Sequence, residues 1–296
     1  MRLLTFEESG SIRLGVLDSQ RNEVLDLGAF APDLPKSMLE FIAQGDSALI
    51  QAREVSANAT QGLPLNALRI LPPIPRPPRN IFCVGKNYPE HVKEVQSIVA
   101  SDKDTGDATP KLPIIFTKAT SSVIGPGAAI PASLDPTMSV DYEGELAVVI
   151  GRGGRAIPAA EAMDHIFGYS IVNDVTSRRL QKQHQQWFIG KSLDGFCPMG
   201  PCLVTRDEIT DVTTLRIQTW VNNELRQDGH LNEMIFDIPT LIEILSRYLT
   251  LEAGDIIATG TPAGVGMGFK PPKFLQPGDH VTITIDTIGT LENSVT

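Results

Sequence analysis

The sequence predicts an α+β, β-rich fold, and three observations predict it. Short β-branched runs bounded by Gly or Pro recur at 80–85, 113–116, 145–150, 255–258 and 281–285. Helical patterning is sparse and never alternates regularly with these strands, which argues against a doubly wound parallel sheet. The cluster Pro72-Pro73-Ile74-Pro75-Arg76-Pro77-Pro78 can be neither helix nor ladder strand, and it divides the chain. Residues 1–72 are therefore read as a small N-terminal domain and 73–296 as the larger domain.

In chain order, Ser11-Ile12-Arg13-Leu14-Gly15-Val16-Leu17 alternates polar and apolar side chains as a half-buried strand does. Two short helices are expected at 37–44 and 47–57. Residues 97–110 are small and polar and read as a surface loop suited to a lid. A helix is expected at 158–167, opening on a proline where a first turn tolerates one. Another at 239–249 carries Leu241, Ile242, Ile244, Leu245, Tyr248 and Leu249, enough apolar surface to be buried.

The 25 basic side chains against 35 acidic ones leave a net charge of −10. That balance, with no local basic run, speaks against nucleic acid and anionic membranes as partners. The opening residues lack a secretion-signal core, and no run approaches the roughly 18–20 apolar residues of a spanning helix. Cys83, Cys197 and Cys202 form no CxxC motif, so neither a disulfide framework nor a zinc site is expected. A soluble, reduced, cytoplasmic protein is the expectation.

The most informative segment is Asp141-Tyr142-Glu143-Gly144-Glu145-Leu146-Ala147-Val148-Val149-Ile150. On a strand, Glu143 and Glu145 share a face, and the apolar run after them points into a core. Like charges held beside a core repel and lose hydration, and a divalent cation removes both penalties. Oxygen-only ligands favour Mg²⁺, Mn²⁺ or Ca²⁺ over zinc. Asp174, ending the apolar run Ile171-Val172-Asn173, supplies a third acid. On spacing alone, acids facing water and a helix N-cap at Asp174 stay open as alternatives. His91 and Glu94 stand at i and i+3, so a helical turn would let the carboxylate orient the imidazole. An ordinary surface ion pair fits the same spacing.

Five co-linear motifs resemble the fumarylacetoacetate hydrolase family. They are Asn80-Ile81-Phe82-Cys83-Val84-Gly85-Lys86-Asn87-Tyr88 with His91 and Glu94, the Asp141–Leu146 stretch, Asn173-Asp174-Val175-Thr176, Gly190-Lys191-Ser192-Leu193-Asp194, and Thr259-Gly260-Thr261-Pro262-Ala263-Gly264-Val265-Gly266. The resemblance runs from about residue 78 onward and is closest to the acylpyruvate- and fumarylpyruvate-hydrolase branch. It implies a mixed β-roll catalytic domain behind a small N-terminal α/β domain, usually as a homodimer.

The resemblance implies that Glu143, Glu145 and Asp174 hold Mg²⁺ or Mn²⁺, with Ca²⁺ as a possible substitute. Some members add an acid seven residues before the histidine, where this chain has Val84. His91 and Glu94 match a water-activating pair, and Lys191 matches a residue that stabilises enolate charge near the metal, paired with Glu145. Arg178, Gln181, Gly260 and Thr261 match substrate-facing positions. The glycines of residues 260–268 are not followed by a helix, which excludes a dinucleotide loop. The implied reaction is metal-dependent C–C cleavage of a small anionic 2,4-dioxo acid, of the kind met in aromatic catabolism. An oxaloacetate-type decarboxylase or a hydroxy-dienedioate isomerase or tautomerase is the alternative on the same motifs. A non-catalytic metal-binding scaffold is a third possibility, one that would be marked by a missing histidine–glutamate pair or lysine.

Overall fold

A computed structural model describes residues 1–99 and 109–296. The N-terminal strands β1 (Arg2–Glu8) and β2 (Ser11–Asp18) form a hairpin. Its two-residue loop, Ser9-Gly10, has positive φ at both positions, the geometry that matches strand twist. Strand β3 (Glu23–Asp26) pairs with β2 and with β4 (Leu63–Pro64), while β5 (Arg69–Leu71) pairs with β1. Between β3 and β4 lie helices α1 (Leu27–Phe30), α2 (Met38–Gln44) and α3 (Asp46–Asn58), the last two close to expectation. Ser37 caps α2 by accepting from the Glu40 N–H, and Gly45 separates α2 from α3 in a left-handed conformation that glycine adopts freely.

Beyond the proline cluster come β6 (Ile81–Gly85), helix α4 (Pro89–Val99), β7 (Ile114–Lys118) and the short β8 (Val123–Ile124). Then follow β9 (Val140–Asp141), β10 (Gly144–Ile150), β11 (Ile166–Asn173), β12 (Thr176–Ser177), helices α5 (Arg178–Gln183) and α6 (Phe188–Lys191), and β13 (Cys197–Thr205). One large mixed sheet runs β4-β3-β2-β1-β13-β11-β10-β16-β6-β7, where β16 is Ile256–Ala258. Strands β14 (Arg216–Val221), β15 (Glu224–His230), β17 (His280–Ile285) and β18 (Gly289–Ser294) form a second, antiparallel sheet.

Strand β10 is buried along its whole length, as its unbroken apolar run requires. Leu146, Val148 and Ile150 enter one core with Ile217, Ile283 and Leu291 of the second sheet. Ala147 and Val149 enter another with Phe41, Ile42 and Leu49 of the N-terminal helices. Helix α7 (Ile238–Tyr248) buries Ile238, Leu241, Ile242 and Leu245, and Asp237 caps it through the Thr240 N–H.

Two expectations change. The helix expected at 158–167 is a 3-10 stretch, Ala159–His165, after which Ile166 and Phe167 enter β11. Pairing of β11 with β10 and burial in the sheet outweigh helical continuation there. Of the loop at 97–110, the first residues belong to α4, and 100–108 lie outside the described residues. The proline segment carries no strand or helix at the 72/73 boundary, yet β1 crosses it to pair Arg2 and Leu3 with Val204 and Leu203 of β13. Cys83, Cys197 and Cys202 are buried and free. Among the described residues no helix is long and apolar enough to cross a membrane.

Candidate active site

The segment between β6 and α4 is fixed by Asn87. Its Nδ2 donates to the carbonyls of Phe236 (3.0 Å) and Thr259 (2.8 Å), and its Oδ1 accepts from the Phe236 N–H (2.8 Å). Those bonds tie the segment before α4 to the loop after β16 and to the segment before α7. On the first turns of α4, His91 Nδ1 meets Glu94 Oε2 at 3.0 Å. The other oxygen, Oε1, accepts the Gly264 N–H at 3.0 Å. A carboxylate held at both ends fixes the imidazole and leaves Nε2 to exchange a proton.

Glu143, Glu145 and Asp174 converge at the ends of β10 and β11, each offering an oxygen within 4.8 Å of the others. Glu143 precedes β10 by one residue, and the antiparallel register brings Asp174 to it: the Asp174 N–H donates to the Glu143 carbonyl and the Glu143 N–H to Asn173 Oδ1. All three are buried.

Their surroundings divide them. Burial opposes the Glu143 charge, but Arg178, Lys191 and then His91 outweigh it and hold its carboxyl well below the usual range. For Glu145, burial together with the charges of Asp174 and Glu143 pushes the carboxyl well up. Its only hydrogen bond among the described residues comes from the Gly260 N–H to Oε2, at 2.8 Å. A neutral donor does not balance a buried carboxylate. The donor set therefore fits a divalent cation: three carboxylates, oxygen only, one of them without a cationic side chain in contact.

Lys191 and Lys118 supply the neighbouring positive charge. Lys191 Nζ donates to Glu143 Oε2 and to Asp174 Oδ2, both at 2.6 Å. Its direct partners are thus Glu143 and Asp174, replacing the Glu145 pairing expected above. Burial works against its charge, and Asp174 and Glu143 outweigh it, raising its pKa. Lys118, wholly buried at the end of β7, donates to Asp174 Oδ1 (2.7 Å), to the Val175 carbonyl (3.0 Å) and to the Lys191 carbonyl.

Of the expected substrate-facing residues, Arg178, Gly260 and Thr261 lie beside this centre with their groups engaged. Arg178 Nε donates to Asp141 Oδ2 at 2.8 Å, and Nη2 stands 2.7 Å from Glu143 Oε1. Thr261 Oγ1 donates to the Gly144 carbonyl and accepts from Gln227 Nε2. Of Arg178, Gln181 and Thr261, only Gln181 has a side chain without a hydrogen bond to another described residue. Its backbone packs so tightly against Gly190 that a Cβ there would fall 2.5 Å from the Gln181 nitrogen.

Lys118, Asp141 and Gln227 were not singled out from the sequence. Asp141 accepts the N–H groups of Gly266 (2.6 Å) and Met267 (2.9 Å) as well as Arg178, so it ties the glycine loop to the carboxylate centre. Gln227 bridges the Gly144 N–H and Thr261. A lysine closing the apolar strand Ile114–Lys118 is the one signal that could have found Lys118.

A buried carboxylate centre with a histidine–glutamate pair and a lysine at its edge is the arrangement of an enzyme site, not of a solvated acidic surface. The fumarylacetoacetate (FAA) hydrolase C-terminal family matches residues 80–296. The chain belongs to the fumarylacetoacetate hydrolase family. It is 49% identical over 270 residues to the oxaloacetate tautomerase YisK of Bacillus subtilis (strain 168), covering 88% of this chain and 87% of that protein. The fumarylacetoacetate hydrolase of psychrophilic Exiguobacterium antarcticum superposes with a TM-score of 0.82 at 43% identity, over 100% of this chain and 99% of that one. The maleylpyruvate hydrolase of Sphingobium sp. SYK-6, solved with manganese(II) and pyruvate, gives a TM-score of 0.80 at 31% identity, over 100% and 99%.

Proposed function

We propose that the chain enolises small 2-oxo acids and that its reaction is keto–enol interconversion of an oxaloacetate-type diacid. The observation that carries this reading is the His91–Glu94 pair standing beside Glu143, Glu145 and Asp174, one base next to one carboxylate centre. The 49% identity to an oxaloacetate tautomerase supports the choice of substrate.

In this reading His91 Nε2 takes the proton from the carbon next to the 2-oxo group. The electron pair moves into the new C=C bond and the carbonyl oxygen takes up a proton. Glu94 keeps the imidazole in one orientation and stabilises it when charged. The Lys191 ammonium offsets the negative charge that develops on oxygen. Glu143, Glu145 and Asp174 would hold Mg²⁺ or Mn²⁺, with Ca²⁺ as a substitute, and such an ion supplies Lewis-acid polarisation of the substrate oxygens. In this reading Gln181 meets the substrate directly, while Arg178, Gly260 and Thr261 shape the wall it rests on. The chemistry belongs to a catalytic domain of residues 73–296, with 1–72 as the smaller domain.

C–C hydrolysis of a 2,4-dioxo acid is the second reading. Its mainstay is the same pair, because a glutamate-held histidine can take its proton from water instead. Hydroxide then adds to the distal carbonyl, and collapse releases a pyruvate-type enolate and a carboxylic acid. The likeness to a maleylpyruvate hydrolase solved with pyruvate supports it.

One parallel assay orders the readings. Protein supplied with Mg²⁺ or Mn²⁺ is expected to speed the decay of the oxaloacetate enol absorbance well above a metal-only blank, and to consume acetylpyruvate far more slowly. The reverse order makes hydrolysis the reaction, and pyruvate release from oxaloacetate identifies decarboxylation. No rate above blank on any substrate overturns both readings. A homodimer is the assembly proposed with this function. Sedimentation equilibrium is expected to give twice the 32.1 kDa chain mass, and a pure monomer overturns that part.

A further inference from the structure

We propose that the Lys191 ammonium is a resident counter-ion that a divalent cation displaces, so that loading the centre hands this lysine to the substrate. The inference takes the metal reading above as its starting point and goes beyond it.

The geometry distinguishes Lys191 from every other cation of the centre. Its Nζ bridges Glu143 Oε2 and Asp174 Oδ2 at 2.6 Å each, oxygens of two of the three converging carboxylates. The remaining oxygens of those two groups are occupied as well, Glu143 Oε1 by Arg178 and Asp174 Oδ1 by Lys118. A cation binding Glu143 and Asp174 must therefore approach oxygens that already face a positive group. A divalent charge brought among the Lys191, Lys118 and Arg178 cations is repelled by each of them, and release of one lowers that repulsion.

Lys118 and Arg178 are tied elsewhere. Lys118 also donates to the carbonyls of Val175 and Lys191, so each of its three N–H groups has an acceptor. Arg178 is held by Asp141, which is itself bonded to Gly266 and Met267. Lys191 has the two carboxylates and no other hydrogen-bond acceptor among the described residues. Its remaining neighbour is the Phe116 ring, whose centroid lies 4.9 Å from Nζ. Four flexible carbons and an aromatic face let it leave the carboxylates without losing all stabilisation. The displaced ammonium stays beside the centre, free to bind an anionic substrate.

Titration calorimetry with MnCl₂ tests this on the native chain, Lys191→Met and Lys118→Met. Both variants remove one positive charge next to Asp174, and only Lys191→Met also clears the bridging position. The expected result is Mn²⁺ binding about tenfold tighter in Lys191→Met than in the native chain, with a clearly smaller gain in Lys118→Met. Equal gains reduce the effect to charge alone and overturn the exchange. Crystals of the native protein grown with Mn²⁺ give an answer that needs no variant to fold. Nζ is expected beyond hydrogen-bond distance of Glu143 Oε2, Asp174 Oδ2 or both, and an ammonium that keeps both contacts beside the ion sinks the idea. If the native chain binds no Mn²⁺, the metal reading itself fails and takes the exchange with it.

Discussion

His91→Ala is expected to lower kcat/KM for the enolised substrate by about 10²–10⁴-fold, the range a positioned proton-transfer group contributes. Mn²⁺ affinity should stay at the native value, because His91 donates to Glu94 and is not one of the three converging carboxylates. Glu94→Gln is expected to lose less. The amide oxygen can still face the ring, but its charge no longer stabilises the imidazolium, and the amide NH₂ then meets the Gly264 N–H in place of an acceptor. The measurement is a kinetic series on metal-loaded protein with calorimetry alongside. Native turnover in His91→Ala with Mn²⁺ bound removes His91 from the mechanism.

Asp174→Ala is the most damaging single change expected for stability. Asp174 accepts from Lys118 at one oxygen and from Lys191 at the other, all three side chains being buried. Removing it leaves two ammonium groups short of an anion where water cannot replace it. Breaking a buried pair from one side costs about 3–5 kcal/mol. The expected observation is a clear fall in Tm for the metal-free protein, with no recovery on adding Mn²⁺. Asp174→Asn keeps the shape and one acceptor, so it should fall less far. A native Tm in Asp174→Ala would mean that the two lysines are balanced without it.

The two variants probe different kinds of legibility. His91 and Glu94 lie three residues apart, and Glu143 and Glu145 two apart, so local geometry alone brings each pair together. The strands at 80–85, 145–150 and 281–285 announced themselves by composition for the same reason. Lys118 meets Asp174 across 56 residues, and Gln227 meets Gly144 across 83. Such contacts depend on which strands become neighbours, which no single segment reveals. The acidic surplus shows the same limit: it described the surface, while Glu143 and Asp174 sit among cations that composition could not place beside them. The glycine loop shows a subtler one. Gly260 and Thr261 were expected as site residues, but the partners of their N–H and hydroxyl groups, Glu145 and Gly144, became visible only in three dimensions.

The pairing of β1 with β13 has a consequence for how the chain is made. Arg2 lies opposite Val204 and Leu3 opposite Leu203, so β1 meets its partner only after the long stretch between them exists. Until then the β1–β2–β3 sheet has an open side and must wait without recruiting another chain. Closing a contact of that span is slow compared with forming the local hairpin. The sheet is thus closed there by two strands far apart in sequence, and β11, with Asp174 just beyond its end, lies one strand away from that seam.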